Sequence, residues 1–143
     1  MSLKSEGEQP MHYLTRDQLL DLHTFVVERY GGRIGIRSQD RLLAVINAPQ
    51  QVMFGVELYP DLAGKVAALG FMILKNRPFN GGNELTALLG MLRMIAVNGY
   101  HFDEQFPERL GKVMRDVLRS QRDRDDLADW LRAELASLIE SAG

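Results

Sequence analysis

The residues best suited to chemistry lie between positions 75 and 87, where a glycine-containing loop leads into an apolar helical pattern. The loop contains Asn80, Gly81 and Gly82, and the helical pattern begins near Asn83. The first turn of a helix leaves backbone N–H groups without intrahelical acceptors and carries the positive end of the helix dipole. Such a junction binds anions, phosphate in particular. The pattern therefore indicates a candidate anion-binding loop, and an ordinary capped turn is the simpler alternative.

The three histidines are the other candidates for catalysis or metal binding. His12, His23 and His101 lack the spacing of metal ligands, and none stands in a recognisable nucleophile motif. The chain has no cysteine, which excludes disulfides, thiolate zinc sites and cysteine nucleophiles. We therefore interpret the histidines as structural or solvated and predict no metal site. His23 lies beside an apolar stripe, where it could hydrogen-bond a loop across the bundle.

Length and charge narrow the class of protein. The 143 residues fit one domain, and 17 basic against 19 acidic residues give a net charge of −2. Nucleic-acid binders usually carry a basic excess, so nucleic acid is an unlikely partner class. The mixed-sign charges between Arg115 and Asp126 are typical of a solvated face. No apolar run is long enough to span a membrane and no secretion signal is present, so we expect a cytoplasmic protein.

The elements that position the candidate loop are helical almost throughout, with apolar residues at helical spacing. We expect an all-α bundle of about six helices in a single domain, residues 13–141, after a flexible segment, residues 1–12. The first helix is expected to start with a capping box from Thr15 to Gln18 and to stop at Gly31-Gly32, and the second to run from Ser38 to Pro49. The third is expected to start at Asp61 and to stop before Pro78, and the fourth to run from Asn83 to Asn98-Gly99. The fifth is expected to start at Phe106-Pro107, and the last to follow a charged break, residues 121–126.

Strands are nearly absent from the expected structure. Residues 50–60 show no clear period and are expected to be a long connection. Residues 34–37 or 100–102 could add a short β-pair. Met91, Met94 and Trp130 fall at helical spacing and are expected in the core.

Several short motifs along the chain resemble the death-on-curing (Doc) branch of the Fic/Doc family. The likeness runs from about Leu14 to about Ala136 and implies an all-α Fic-type fold. The motifs that carry it are Tyr30-Gly31-Gly32-x-x-Gly35-Ile36-Arg37, Pro49-Gln50, Leu58-Tyr59-Pro60-Asp61-Leu62, Lys75-Asn76, Pro78-Phe79, Gly82-Asn83, Thr86-Ala87-Leu88 and Asn98-Gly99-Tyr100.

The resemblance implies a reaction and a set of reactive groups. Members transfer part of a nucleoside triphosphate to a protein hydroxyl. Doc-type toxins transfer a phosphate to a translation elongation factor and are neutralised by a small antitoxin. The family signature reads His-Pro-Phe-x-Asp-Gly-Asn-Lys-Arg-Thr-Ala. Its His is the general base, its acidic residue holds magnesium, its Lys and Arg hold phosphates, and its Gly-Asn amides bind the anion.

This sequence departs from the signature at all four reactive positions. Arg77 replaces the His, Gly81 the acid, Glu84 the Lys and Leu85 the Arg, whereas Pro78, Phe79, Gly82, Asn83, Thr86 and Ala87 match. A general base contributes about 10²–10⁴-fold in rate, and an arginine cannot accept the proton. A carboxylate about 4 Å from a phosphate costs on the order of 4 kcal/mol at an effective dielectric near 20. We expect Arg77 and Glu84 to pair with each other or with neighbouring amides.

These departures favour a Doc-like protein that is catalytically inactive and acts by protein binding. The expected partner is an antitoxin-like protein, a translation component or a second copy of the chain. No catalytic residue, metal or cofactor is expected; the candidate anion-binding residues are Arg77, Gly81, Gly82, Asn83 and Glu84.

Two alternatives stay open. One is an active phosphotransferase or nucleotidyltransferase that uses ATP with magnesium, holds the anion with Arg77 and modifies a translation factor in a toxin–antitoxin system. The other is a helical module that associates with nucleic acid or is purely structural.

Overall fold

The fold is a bundle of helices with one small hairpin on its surface. The computed structural model describes residues 10–142, and side chains from 10 to 138. The described residues contain α1 (Arg16–Tyr30), α2 (Gln39–Asn47), a 3₁₀ turn (Ala48–Gln50), β1 (Val52–Met53), β2 (Val56–Glu57), α3 (Leu62–Asn76), α4 (Asn83–Val97), α5 (Phe106–Leu118) and α6 (Arg124–Ala142). The prediction of an all-α, single-domain bundle is confirmed.

The helix starts are set by side chains that accept hydrogen bonds from free backbone N–H groups. In the predicted capping box, the Gln18 N–H donates to Thr15 Oγ1 at 3.1 Å and the Thr15 N–H donates to Gln18 Oε1 at 3.0 Å. Ser38 Oγ accepts from the Arg41 N–H in α2, and Asp61 Oδ1 accepts from the Gly64 N–H in α3, without the reciprocal bond. Gly31 ends α1 with φ +87°, which a residue with a side chain rarely adopts.

Helix α3 lies at the centre of the bundle and packs against α4 and α6 most extensively. Its buried apolar residues, among them Val66, Leu69 and Ile73, form the middle of the core. Gly70 allows α4 to approach closely, since a Cβ at this position would overlap the Met91 side chain. Met91 and Met94 are buried and Trp130 packs against the core, as predicted.

The prediction of a long connection without strands at residues 50–60 is wrong, because this segment contains the antiparallel hairpin of β1 and β2. Val52 pairs with Glu57, and Met53 pairs with Val56. The two turn residues, Phe54 and Gly55, both have positive φ, +51° and +77°, as a type I′ hairpin turn requires. Asn-Gly is the usual sequence for such a turn, and phenylalanine in its first position hid the signal.

Two smaller expectations are met only in part. Of the two segments that could add a short β-pair, residues 34–37 contribute one β-bridge, between Ile36 and Phe79, and residues 100–102 form no strand. The predicted charged break is shorter than expected because α6 already begins at Arg124. There the Asp126 N–H donates to Asp123 Oδ1 at 2.8 Å, which caps the helix start inside the charged run.

Most of the segment predicted to be flexible, residues 1–12, lies outside the described residues. At the end of this segment, the His12 N–H donates to Asn98 Oδ1 and the His12 carbonyl accepts from Asn98 Nδ2, both at 2.9 Å. The end of α4 thereby holds the chain just before α1. Across residues 10–142, no helix combines the length and the apolar character needed to cross a membrane.

Candidate functional site: the loop between α3 and α4

The candidate loop, residues 77–83, begins where α3 ends in a left-handed residue. Arg77 has φ +48° and ψ 67°, and its N–H donates to the Ile73 carbonyl at 3.0 Å. Five residues later Gly82, with φ +68°, precedes the first residue of α4. The two positive-φ residues turn the chain twice. The five candidate residues Arg77, Gly81, Gly82, Asn83 and Glu84 therefore lie on one loop and the first turn of one helix.

Asn83 closes this loop on itself. Its Oδ1 accepts from the Phe79 N–H at 3.1 Å and its Nδ2 donates to the Phe79 carbonyl at 3.0 Å. Asn83 is 1% exposed, so both bonds are shielded from water. The side chain of Asn83 therefore shapes the loop, and only its backbone N–H is left to meet an anion.

A second segment, residues 31–37, lies along the candidate loop; we call it the glycine strap. The Asn80 N–H donates to the Gly35 carbonyl at 2.9 Å, and the Arg37 N–H donates to the Pro78 carbonyl at 2.8 Å. A Cβ at Gly81 would stand only 2.8 Å from the Arg33 backbone nitrogen. Glycine at position 81 thus lets the strap approach to a distance that no other residue allows without movement.

His23 of α1 contacts both the candidate loop and the glycine strap. Its Nε2 accepts from the Gly35 N–H at 3.0 Å, and its ring stacks on Phe79 with centroids 4.1 Å apart. Burial lowers the pKa of His23, so the imidazole is neutral, and the bond at Nε2 assigns its proton to Nδ1. The predicted hydrogen bond from His23 to a loop is confirmed, and the histidine is structural.

Two buried polar atoms beside the loop have no hydrogen-bond partner within the described part of the chain. They are His23 Nδ1 and Thr86 Oγ1. Thr86 is fully buried on α4, and its Oγ1 lies 4.0 Å from the position that a Cβ at Gly82 would take. This end of α4 therefore retains polar groups beyond those that hold the loop together.

Arg77 and Glu84 form the expected pair across the outer side of the loop. Arg77 Nη1 donates to Glu84 Oε1 at 3.0 Å, and both side chains are close to half exposed. Burial tends to raise the pKa of Glu84, but hydrogen bonds from Arg77 and from its own backbone N–H outweigh burial and hold the pKa below its usual value. The Glu84 carboxylate is thus itself an anion bound at the N-terminus of α4.

The residues at this site do not fit a magnesium-bound triphosphate. Gly81 offers no ligand where the family signature has its acid, and no group of three or more His, Asp or Glu in the described chain is arranged to hold a metal ion. Glu84 places a negative charge in the first turn of α4, which disfavours a further anion there.

Leu85 gives the outer side of α4 an apolar character. It is partly exposed and lines a cavity of about 270 Å³ between α4 and α5, together with Leu88, Met114 and Leu118. At the position where the signature has a phosphate-binding arginine, this chain therefore presents the wall of an apolar groove.

The hairpin is a surface that the sequence did not reveal. Phe54 at its tip is 98% exposed, and Val52, Met53 and Val56 are each more than half exposed. Their alternation was too short to predict strands, and exposure of this kind cannot be read from residue type. The hairpin is therefore a second candidate interaction site.

Two comparisons with known proteins bear on this geometry. The sequence model of the Fic/DOC family matches residues 13–95, which include the strap, the hairpin and most of α4. The chain is also 30% identical over 131 residues to the protein named Toxin Doc of Mycolicibacterium smegmatis, a match that spans 91% of this chain and 95% of that protein. By both the family match and this relative, the chain belongs to the Fic/Doc family.

Proposed function

We propose that this chain is a Doc-like protein that has lost transferase activity and acts in the cytoplasm by binding another protein. The observation that supports the proposal is the ion pair between Arg77 and Glu84 at the N-terminus of α4. The pair places a permanent cation, Arg77, where the family signature has its general base, and a carboxylate, Glu84, where the signature has a phosphate-binding lysine.

The magnitudes of these losses support inactivity. Phosphoryl transfer depends almost wholly on positioning and on electrostatic stabilisation. Loss of a general base alone removes about 10²–10⁴-fold in rate. Loss of a metal removes several kcal/mol of transition-state stabilisation, and Gly81 has no side chain to replace the ligand.

The hairpin supports the binding part of the proposal. Exposed apolar side chains that lie side by side are typical of interaction surfaces, since each costs free energy in water. Met53 and Val56, which pair across the two strands, meet this description, and Phe54 adds a third exposed apolar side chain at the tip. We propose that the partner is a small antitoxin-like protein, and that a translation component or a second copy of the chain are the other occupants to test.

Transfer of radioactive label tests the loss of activity. The purified chain is incubated with a bacterial extract and ATP labelled at either the α or the γ phosphate, beside Toxin Doc of M. smegmatis. We expect labelling by this chain at least about 10²-fold slower than by an active relative, in line with the missing base. Label from either position at a comparable rate would contradict the proposal and would identify the group transferred.

Co-purification tests the binding. The chain is expressed with the product of any small reading frame that adjoins its own gene, and Phe54→Asp is compared with Leu43→Asp, which changes an exposed apolar residue of α2. We expect Phe54→Asp to abolish the complex and Leu43→Asp to leave it intact. A complex that survives Phe54→Asp would exclude the hairpin, and a dimer without added partner would favour self-association.

A further inference from the structure

Lys65 of α3 is a charged residue in the core that the proposed function does not use. It is 2% exposed, although lysine is almost never fully buried without partners. Its Nζ donates to Glu57 Oε1 at 3.0 Å and to the Pro49 carbonyl at 3.3 Å, and lies 5.3 Å from the centre of the Tyr13 ring. Burial tends to lower the pKa of Lys65, but its interactions with Tyr13 and Glu57 outweigh burial and raise the pKa, so the amine stays charged.

The partners of Lys65 stand at the two ends of the hairpin. Pro49 precedes β1, and Glu57 is the last residue of β2. Glu57 is half exposed while Lys65 is buried, so the ion pair joins the surface hairpin to the central helix. Among the described side chains, no other hydrogen bond links residues 52–57 to the helices.

The rest of the hairpin has little else to hold it. Its strands have two residues each, and residues 52–57 are all exposed. A two-stranded hairpin alone is at best marginally stable in water. A hairpin without an anchor would sample many orientations, and its apolar side chains would gain by folding onto the helices.

We infer that the buried ammonium of Lys65 is a latch that fixes the orientation of the hairpin and keeps its apolar side chains pointing away from the helical body. Glu57 provides the counter-charge on the hairpin, and the Pro49 carbonyl fixes the point where the hairpin leaves the 3₁₀ turn. The latch does not depend on the proposed binding function, because it concerns how the hairpin is held and not what it binds.

Limited proteolysis of the full chain tests the latch. Chymotrypsin cuts after phenylalanine, and Phe54 stands at the tip of the hairpin. We expect Glu57→Gln and Lys65→Met each to raise the rate of cleavage after Phe54 by about tenfold or more, as mass spectrometry of the 1–54 fragment measures. The Leu58 amide donates to the Gln51 carbonyl at 2.9 Å, and its hydrogen exchange should become faster in both variants.

Three further variants make the result decisive. Asp129→Asn removes an exposed partner of Arg132, at 2.9 Å, and should leave cleavage unchanged. The double variant Glu57→Gln with Lys65→Met should be cleaved no faster than Lys65→Met alone, because loss of the lysine already removes the bond to Glu57. Should Glu57→Gln fail to fold, Glu57→Asp, which shortens the side chain, takes its place.

The alternative is that Lys65 only fills space in the core. In that case Lys65→Met would leave cleavage after Phe54 and exchange at Leu58 as in the unaltered chain, and the latch would be refuted. Additive effects in the double variant would refute it as well, since they would show that the two residues act separately.

Discussion

Arg33 and Gly81 meet backbone to backbone, so closely that a Cβ on Gly81 would lie 2.8 Å from the Arg33 nitrogen and 3.3 Å from its carbonyl oxygen. The family signature has an acidic residue at position 81, and the Arg33 backbone leaves no room for one here. The backbone of the glycine strap occupies the space into which a side chain at position 81 would project. An aspartate at this position would therefore clash with the Arg33 backbone.

Gly81→Ala should be destabilising, since the new Cβ must displace backbone and not the end of a flexible side chain. We expect the free energy of unfolding to fall by about 1–3 kcal/mol, the range for overpacking. Urea denaturation measures it. Gly111→Ala on α5 is the matched control, because its Cβ would lie 3.7 Å from the Arg115 Nη1; there we expect a gain of about 0.5–1 kcal/mol. Equal stability of the two variants would show that the strap yields freely.

His23 should make stability depend on pH near neutrality. Burial lowers its pKa in the folded chain below the usual 6.5. As the pH falls through 6.5, the unfolded chain therefore takes up the proton first, and the free energy of unfolding decreases with falling pH. The contribution is complete above pH 6.5 and changes by at most about 1.4 kcal/mol per pH unit below it.

His23→Gln tests this assignment, because glutamine keeps an acceptor for the Gly35 N–H and does not titrate. Urea denaturation between pH 5 and pH 8 should show a flatter profile for the variant than for the unaltered chain. Parallel profiles would mean that the pH dependence comes from other groups.

Glu84→Ala should open the N-terminus of α4 to external anions. The carboxylate now bound there is removed, and the backbone N–H groups of Asn83, Glu84 and Leu85 have no backbone acceptor in the described chain. We expect phosphate to shift the amide resonances of residues 83–85 in the variant at concentrations at which the unaltered chain shows no change. The exposed ion pair contributes only about 0.2–1 kcal/mol, so the variant should stay folded. An unchanged response to phosphate would place the anion site elsewhere.

Asn83→Ala should unfold the loop locally and cost more than the loss of an exposed polar residue. It leaves the Phe79 N–H and carbonyl unpaired in a buried position, at about 1–3 kcal/mol for each group. Asn80→Ala is the control, since it removes one exposed bond, at 3.1 Å to the Ile34 carbonyl, worth about 0.5–1.5 kcal/mol. Thermal denaturation compares them, and a smaller loss for Asn83→Ala would contradict the structural role.

Much of the fold could be predicted because helices are specified locally. The capping box at Thr15, the cap at Ser38 and the stop at Gly31 depend on residues only a few positions apart. The hairpin could not be predicted in the same way, because Phe54 adopts positive φ without the usual asparagine or glycine.

The candidate site was located from the sequence, but the roles of its residues were only partly foreseen. Opposite charges at Arg77 and Glu84 predicted their pair. The close approach of Arg33 to Gly81 joins segments far apart in the sequence, and only the glycines of the strap hinted at it. Asn83 stays a candidate anion-binding residue through its backbone N–H, and the bonds of its side chain to Phe79 were not foreseen from the sequence.

The bonds between Asn83 and Phe79 have a consequence for competition between relatives. The shape of the loop is maintained by the Asn83 side chain and the Phe79 backbone, and neither residue is among the four positions at which this chain departs from the family signature. A partner that recognises this shape through the main chain would bind an active toxin and this chain alike. Expressed together, the two proteins would then draw on one pool of that partner, and the amount of this chain would set how much toxin stays free.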